Sequence, residues 1–222
     1  MKSVPHLRHS LAWSLCTATA LTGMAGVIGA VGMWAIGTPR AKASESREFS
    51  SQEEAQLRAG KLVVRPETRS VGNTHLLGGL SWQLINAPPA TVWRALTDVR
   101  GYSHFLPAVE QAVLVETVGN TQSLFIRHRL GFITASYWVR AVHDAAHARL
   151  RFRLDRDHAS SIRDAWGELR VTPYAEHRSV VSLAIMADLG EGLFVGLVRS
   201  NVHEWMLRVP EQLRRFVESR RE

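Results

Sequence analysis

Between residues 109 and 188 the chain repeats one pattern: apolar and polar side chains alternate, and each alternating run ends in a turn signal. The clearest run is 149–154, where Arg149, Arg151 and Arg153 alternate with Leu150, Phe152 and Leu154. One face of such a strand meets water and the other meets a core. Runs of this kind fall near 109–117, 121–130, 133–144, 147–155, 160–172 and 178–188. Between them stand Gly119-Asn120, Gly131, Asp144-Ala145-Ala146, Asp155-Arg156-Asp157 and Pro173-Tyr174-Ala175-Glu176. Gaps this short make hairpins, so the strands form an antiparallel meander.

The flanks of this meander differ from it. Residues 44–60 are polar and read as a linker with a short helix, capped by Ser50 or Ser51 with Glu53 or Glu54 in its first turn. Leu62 to Arg69 is a candidate strand or arm, and Thr74 to Ile85 a strand ended by Asn86-Ala87-Pro88-Pro89. Val92, Leu96 and Val99 then recur at helical spacing just after a proline. Tyr102 to Pro107 is a second short helix or turn. Downstream, Gly190-Glu191-Gly192 leads into a run with an apolar stripe from Leu193 through Trp205 to Leu213 and Val217. This predicts one long helix kinked at Pro210.

A sheet with one apolar face must be covered, and the terminal helix is the natural cover. The expected fold is α+β: a curled antiparallel sheet of six or seven strands packed on a long C-terminal helix, preceded by an N-terminal apolar helix. This order is that of the helix-grip fold. The residues Pro88, Val92 to Asp98, Tyr102 to Pro107, Gly167 to Pro173 and Ser179 to Asp188, with the terminal helix, resemble the START-like superfamily, in its polyketide cyclase and coenzyme-Q-binding branch. The resemblance spans about residues 75–218 of a domain placed at 61–222. It implies a cavity between sheet and helix for a lipid-like, quinone or polycyclic molecule. It implies no shared catalytic residue, because most relatives bind or transfer ligands and some cyclise polyketides.

Charge removes one class of partner. The chain has 27 basic and 20 acidic residues, a formal net charge of +7. Four of the basic residues (Lys2, Arg8, Arg40 and Lys42) lie in residues 1–43, which hold no acid. The rest therefore carries a net charge of only +3, and no basic stretch is interleaved with aromatics. Nucleic acid is not an expected partner.

Residues 1–43 read as an address or an anchor. A basic start precedes an uncharged run from Leu11 to Gly37, followed by Ala41-Lys42-Ala43, an A-x-A cleavage signal. The run would span about 40 Å as a helix, longer than an ordinary signal and long enough to cross a bilayer with tilt. The expectation is export to a periplasmic or extracellular site, with either cleavage after Ala43 or retention by residues 11–37. The one cysteine, Cys16, lies within this run, so the folded part has no disulfide.

No motif for a nucleophile elbow, phosphate loop or dinucleotide occurs, and no cofactor is expected. His143 and His147 are spaced as on a zinc-binding helix, but they fall in a turn and lack the accompanying glutamate, so no metal is expected. The expected cavity residues are Phe105, Leu106, His128, Trp138, Phe152, Trp166, Leu183, Ile185, Phe194 and Trp205. His128 shares strand parity with Leu124 and Ile126 and is the candidate polar group inside, able to hydrogen-bond a ligand or to move a proton. Trp166 shares a face with Asp164 and Glu168, and parity alone leaves open whether that face is inward. The glycines from 190 to 196 and the Phe105-Leu106-Pro107 loop are expected to gate the cavity. Binding or transfer without catalysis is the favoured function, and a polyketide cyclase or aromatase the alternative.

Overall fold

The computed structural model describes residues 49–130, 133–190 and 204–220. In these residues eight strands form one antiparallel sheet: β1 (Val63–Val71), β2 (Thr74–Ile85), β3 (Val109–Val118), β4 (Thr121–Leu130), β5 (Ile133–Asp144), β6 (Arg149–Leu154), β7 (Asp164–Pro173) and β8 (Ser179–Asp188). The helices are α1 (Ser51–Arg58), α2 (Pro89–Thr97), α3 (Tyr102–Phe105) and α4 (Val209–Glu218). Strand order is β1-β2-β8-β7-β6-β5-β4-β3. The meander from β3 to β8 is laid down in chain order. β2 pairs with β8, at the far side from β3, so residues 86–108 cross the sheet and carry α2 and α3 over its inner face.

The sheet has eight strands where the alternation predicts six or seven. The strand that alternation underweights is β1, whose last residues are all exposed. Backbone pairing holds it, from Val63 opposite Trp82 to Val71 opposite Thr74 across a tight turn at Gly72. As an edge strand it tolerates Pro66, which lacks a donor. Burial is what writes a side-chain period, and β1 has little of it beyond Val63.

Helix α1 begins with a capping box between Ser50 and Glu53. The Glu53 carboxylate also accepts from Arg65 on β1, Nε at 2.7 Å and Nη2 at 2.6 Å. The Arg65 bonds, and then the Ser50 backbone N–H, hold the Glu53 carboxyl down at about 2. The same guanidinium lies over Trp82, 5.1 Å from its ring. Leu57, Val63 and Leu84 form a small core beneath α1.

The terminal helix also departs from the expectation. A turn of helix at residues 204–207 ends at Arg208, and α4 starts afresh at Val209 with Pro210 in its first turn. Proline has no N–H and its ring clashes with the carbonyl four residues back, so a continuous ladder cannot pass through it. In a first turn the missing donor has no intrahelical partner to lose. Pro210 thus divides two helical segments instead of kinking one. Leu213 is fully buried, with Phe216 and Val217 beside it, against α2, α3 and the sheet. The Glu218 carboxylate accepts from the Asn86 N–H at 2.9 Å, and Arg214 donates to the Gly60 carbonyl. These bonds fasten the end of α4 to both ends of the β1–β2 region.

No helix among the described residues is long and apolar enough to cross a membrane. The apolar run 11–37, the part of the expected terminal helix before residue 204 and the glycines at 192 and 196 lie outside the described residues.

β2 passes between β1 and β8 at Gly78-Gly79. A Cβ on Gly78 would sit 1.9 Å from the Ile185 carbonyl oxygen, and one on Gly79, whose φ is +137°, 2.2 Å from that of Arg65. Backbone cannot yield as a side chain does. Gly78→Ala is expected to destabilise the fold by at least about 2 kcal/mol, lowering Tm by about 4–8 °C. A melting temperature unchanged in thermal unfolding would contradict this close approach.

Candidate functional site

Antiparallel pairing carries strand parity from one strand to the next. Leu124 on β4 faces Val139 on β5, and Ile126 faces Tyr137. All four point to the inner side, where they enclose a cavity of about 450 Å³ against α2, α3 and the start of α4. That lies within the range of about 300–1,000 Å³ usual for small-molecule sites. Its lining among the described residues is almost wholly apolar and includes no Asp, Glu, Lys or Arg side chain.

Of the expected residues, Phe105, Leu106, His128, Phe152, Leu183, Ile185 and Trp205 line this cavity. Phe194 lies outside the described residues. Trp138 and Trp166 are not on the wall. Trp138 stacks on His158 with ring centroids 4.3 Å apart and meets Phe125 at 5.4 Å, on the opposite face of β5 from Tyr137 and Val139. Trp166 shares the outer face of β7 with Asp164, which pairs with Arg156, and Glu168, which pairs with Arg170. For Trp138 the alternation held the answer; for Trp166 parity left the face open, and the pairing of β7 with β6 and β8 settles it. Ser136 and Arg140 bracket Trp138, whereas Ala135, Tyr137, Val139 and Ala141 make the apolar set. In a reading of the sequence, strand parity and not side-chain size decides which of these residues reach the cavity.

The residue that reading missed is Tyr137. Its hydroxyl lies 2.7 Å from His128 Nε2, and His128 Nδ1 lies 2.9 Å from the Pro107 carbonyl oxygen. The two rings stack with centroids 5.5 Å apart. A carbonyl can only accept, so Nδ1 carries the proton and donates it. In the neutral ring Nε2 is then an acceptor, and the Tyr137 O–H donates to it. The pair thus joins three parts of the chain: β4, β5 and the loop after α3. Burial lowers the His128 pKa, with the Pro107 bond opposing in part. Burial raises the Tyr137 phenol well above its ordinary value. Tyr102, also on the wall, donates its hydroxyl to the Leu96 carbonyl at 3.2 Å, and burial raises its phenol too. At neutral pH these three polar groups of the wall are therefore uncharged.

Such an arrangement suits a neutral, largely apolar molecule. His143 and His147 do not converge on one point: His147 Nδ1 meets the Asp144 carboxylate at 2.9 Å, while His143 packs edge-on to Trp93. Among the described residues no cluster of three or more metal-ligating side chains occurs.

The His128 shift has a sign that can be measured. Its folded pKa lies below the unfolded value of about 6.5, so between the two the unfolded chain binds more protons. The stability contributed by neutral His128 is complete above about pH 6.5 and is lost as pH falls toward the folded pKa. The ring's carbon-bound proton resonance should titrate with a midpoint under about 6.5, and a midpoint at or above it would contradict the buried, neutral assignment.

Comparison with known proteins agrees with this architecture. The family described as polyketide cyclase / dehydrase and lipid transport matches residues 83–218. Among curated proteins no sequence matches the chain significantly. Among solved structures, the STAR-related lipid transfer protein of Xanthomonas axonopodis is similar at 15% identity, covering 70% of this chain and 93% of that one, with TM-score 0.56. A protein of Thermus thermophilus is similar at 23% identity, over 64% of this chain and 94% of that one, with TM-score 0.54. A START superfamily protein of Mycobacterium smegmatis is similar at 11% identity, over 63% and 96%, with TM-score 0.52. At these identities the likeness is one of fold. With the family match spanning most of the sheet, the cavity wall and α4, this chain belongs to the polyketide cyclase / dehydrase and lipid transport family.

Proposed function

We propose that the chain binds, and hands on, a neutral apolar small molecule such as a lipid, a quinone or a polycyclic compound, without transforming it, at or outside a membrane. The observation that carries this reading is the cavity: about 450 Å³ between sheet and helices, with no charged side chain on its wall among the described residues. An apolar ligand gains by leaving water for such a space, at about 25 cal/mol per Å² buried. The family's lipid-transport members support it. The membrane location rests on residues 1–43, whose basic start, apolar run and Ala41-Lys42-Ala43 read as export. A hydrophobic cargo needs a source, and a bilayer beside the cavity supplies one.

The His128–Tyr137 pair favours a second reading, a cyclase-like enzyme. A neutral imidazole beside a phenol can pass a proton to or from a bound carbonyl compound. Against it stands the lack of any carboxylate or amine on the wall among the described residues.

Native mass spectrometry of the full chain, followed by organic extraction, tests binding directly. Wild type should carry an extractable apolar molecule, and Ile185→Trp, which fills the cavity from β8, should lose it while remaining folded. An empty wild-type protein, or full occupancy in Ile185→Trp, would sink the binding reading. Incubation with a polyketone surrogate separates the second reading, since cyclisation with dehydration lowers the ligand mass by one water. N-terminal sequencing of the mature protein separates the two forms of export: a start at Ser44 marks cleavage, and a start at Met1 or Lys2 excludes it and leaves retention by residues 11–37.

A further inference from the structure

The geometry points to a ligand that carries a hydroxyl, donated to the phenolic oxygen of Tyr137, in preference to one whose only polar group is a carbonyl. This rests on the binding reading above and narrows it. Proton positions carry the preference. The Pro107 carbonyl commits His128 to the tautomer protonated at Nδ1. Nε2 is then a bare acceptor, 2.7 Å from the Tyr137 oxygen, and takes the tyrosine proton. Tyr102 has likewise given its proton to the Leu96 carbonyl. Neither tyrosine on the cavity wall has a proton left to offer. Each presents only oxygen lone pairs, and donating to His128 makes the Tyr137 oxygen the better acceptor.

A ligand hydroxyl completes this chain: it donates to Tyr137, which donates to His128, which donates to Pro107. A ligand carbonyl at the same place sets one acceptor against another. To bind it, Tyr137 would have to turn its proton away and leave Nε2 buried without a partner, an outcome that buried polar groups disfavour. Of the remaining polar groups described on the lining, the half-buried Trp205 indole N–H can only donate, so the preference is a property of the Tyr137 oxygen and not of the whole wall. Thr134 and Ser161 are exposed at the rim, where water competes and a hydroxyl rotor can give or take a proton. Ser161 Oγ already accepts from the Ser136 N–H at 3.1 Å. With no cation among the described residues of the wall, a carboxylate or phosphate head would find no charge there to compensate it.

The test uses the full chain and three neutral probes of closely similar size: dodecanol, a dodecanone and methyl undecyl ether, each competing with bound Nile red. Dodecanol should displace the dye at a concentration about 2- to 10-fold lower than the ketone or the ether, the range of one neutral hydrogen bond. His128→Asn keeps a donor for the Pro107 carbonyl but does not reach Tyr137, so the phenol proton is released toward the ligand and the preference should vanish or invert. If this variant fails to fold, nitrogen resonances of the wild-type imidazole still decide, and Nε2 must read as unprotonated. Equal binding of all three probes, a ketone preference in wild type, or an Nε2-protonated ring overturns the inference while leaving the binding reading intact. Failure of Nile red and every probe to bind overturns both.

Discussion

Strand parity is the constraint on which the rest of the molecule depends. Side chains alternate with a period of two, and antiparallel pairing forces each strand to share its neighbour's phase, so a slip of one residue would turn a whole strand inside out. In this sheet the phase runs unbroken from Leu124 and Ile126 on β4, through Tyr137 and Val139 on β5, to Phe152 on β6 and Leu183 on β8. Those residues make one continuous apolar wall. The arginines of β6 and the outer tryptophans fall on the other side by the same rule. The cavity is therefore a collective property of the register.

The same register brings His128 and Tyr137 together. Neither residue is close to the other in the fold by virtue of sequence. His128 stands opposite Ala135, and Tyr137 opposite Ile126, so the two side chains are diagonal neighbours on the inner face. The Pro107 carbonyl, arriving from the crossing segment after α3, then sets the tautomer. A backbone oxygen with no proton to give controls the chemistry of a side chain 21 residues away. The wall also answers the charge problem that a buried polar pair poses: burial lowers the imidazole pKa and raises the phenol, so both remain neutral and neither charge must be compensated.

Closure of the cavity rests on a contrast between two prolines and two glycines. Pro89 and Pro210 each sit in the first turn of a helix, α2 and α4, where a missing donor does no harm. They begin the helices that cover the sheet. Gly78 and Gly79 do the reverse for the strands, letting β2 press between β1 and β8 where any Cβ would strike backbone. The helices thus have defined starting points and β2 an uninterrupted ladder with both neighbours, and the space between helices and sheet is left to apolar side chains.

Local chemistry made much of this readable in the chain itself. Alternation and turns specified the antiparallel meander, helical spacing specified α2 and the terminal cover, and the capping residues Ser50 and Glu53 marked α1, because each depends on neighbours close in sequence. Strand β1 was faint because it is held by backbone bonds to β2, which write no side-chain period. The division at Pro210 was visible as a proline, but packing of Leu213, Phe216 and Val217 decided that the chain would restart a helix there. For the site, parity was sufficient to place His128 inward and, read strictly, to choose Tyr137 over Trp138. The hydrogen-bonded chain from Tyr137 through His128 to Pro107 was not readable. It joins a strand, its neighbour and a distant loop, and only tertiary structure fixes distances between such parts. The sequence by itself determined which faces are apolar; the folded sheet decided where the protons sit.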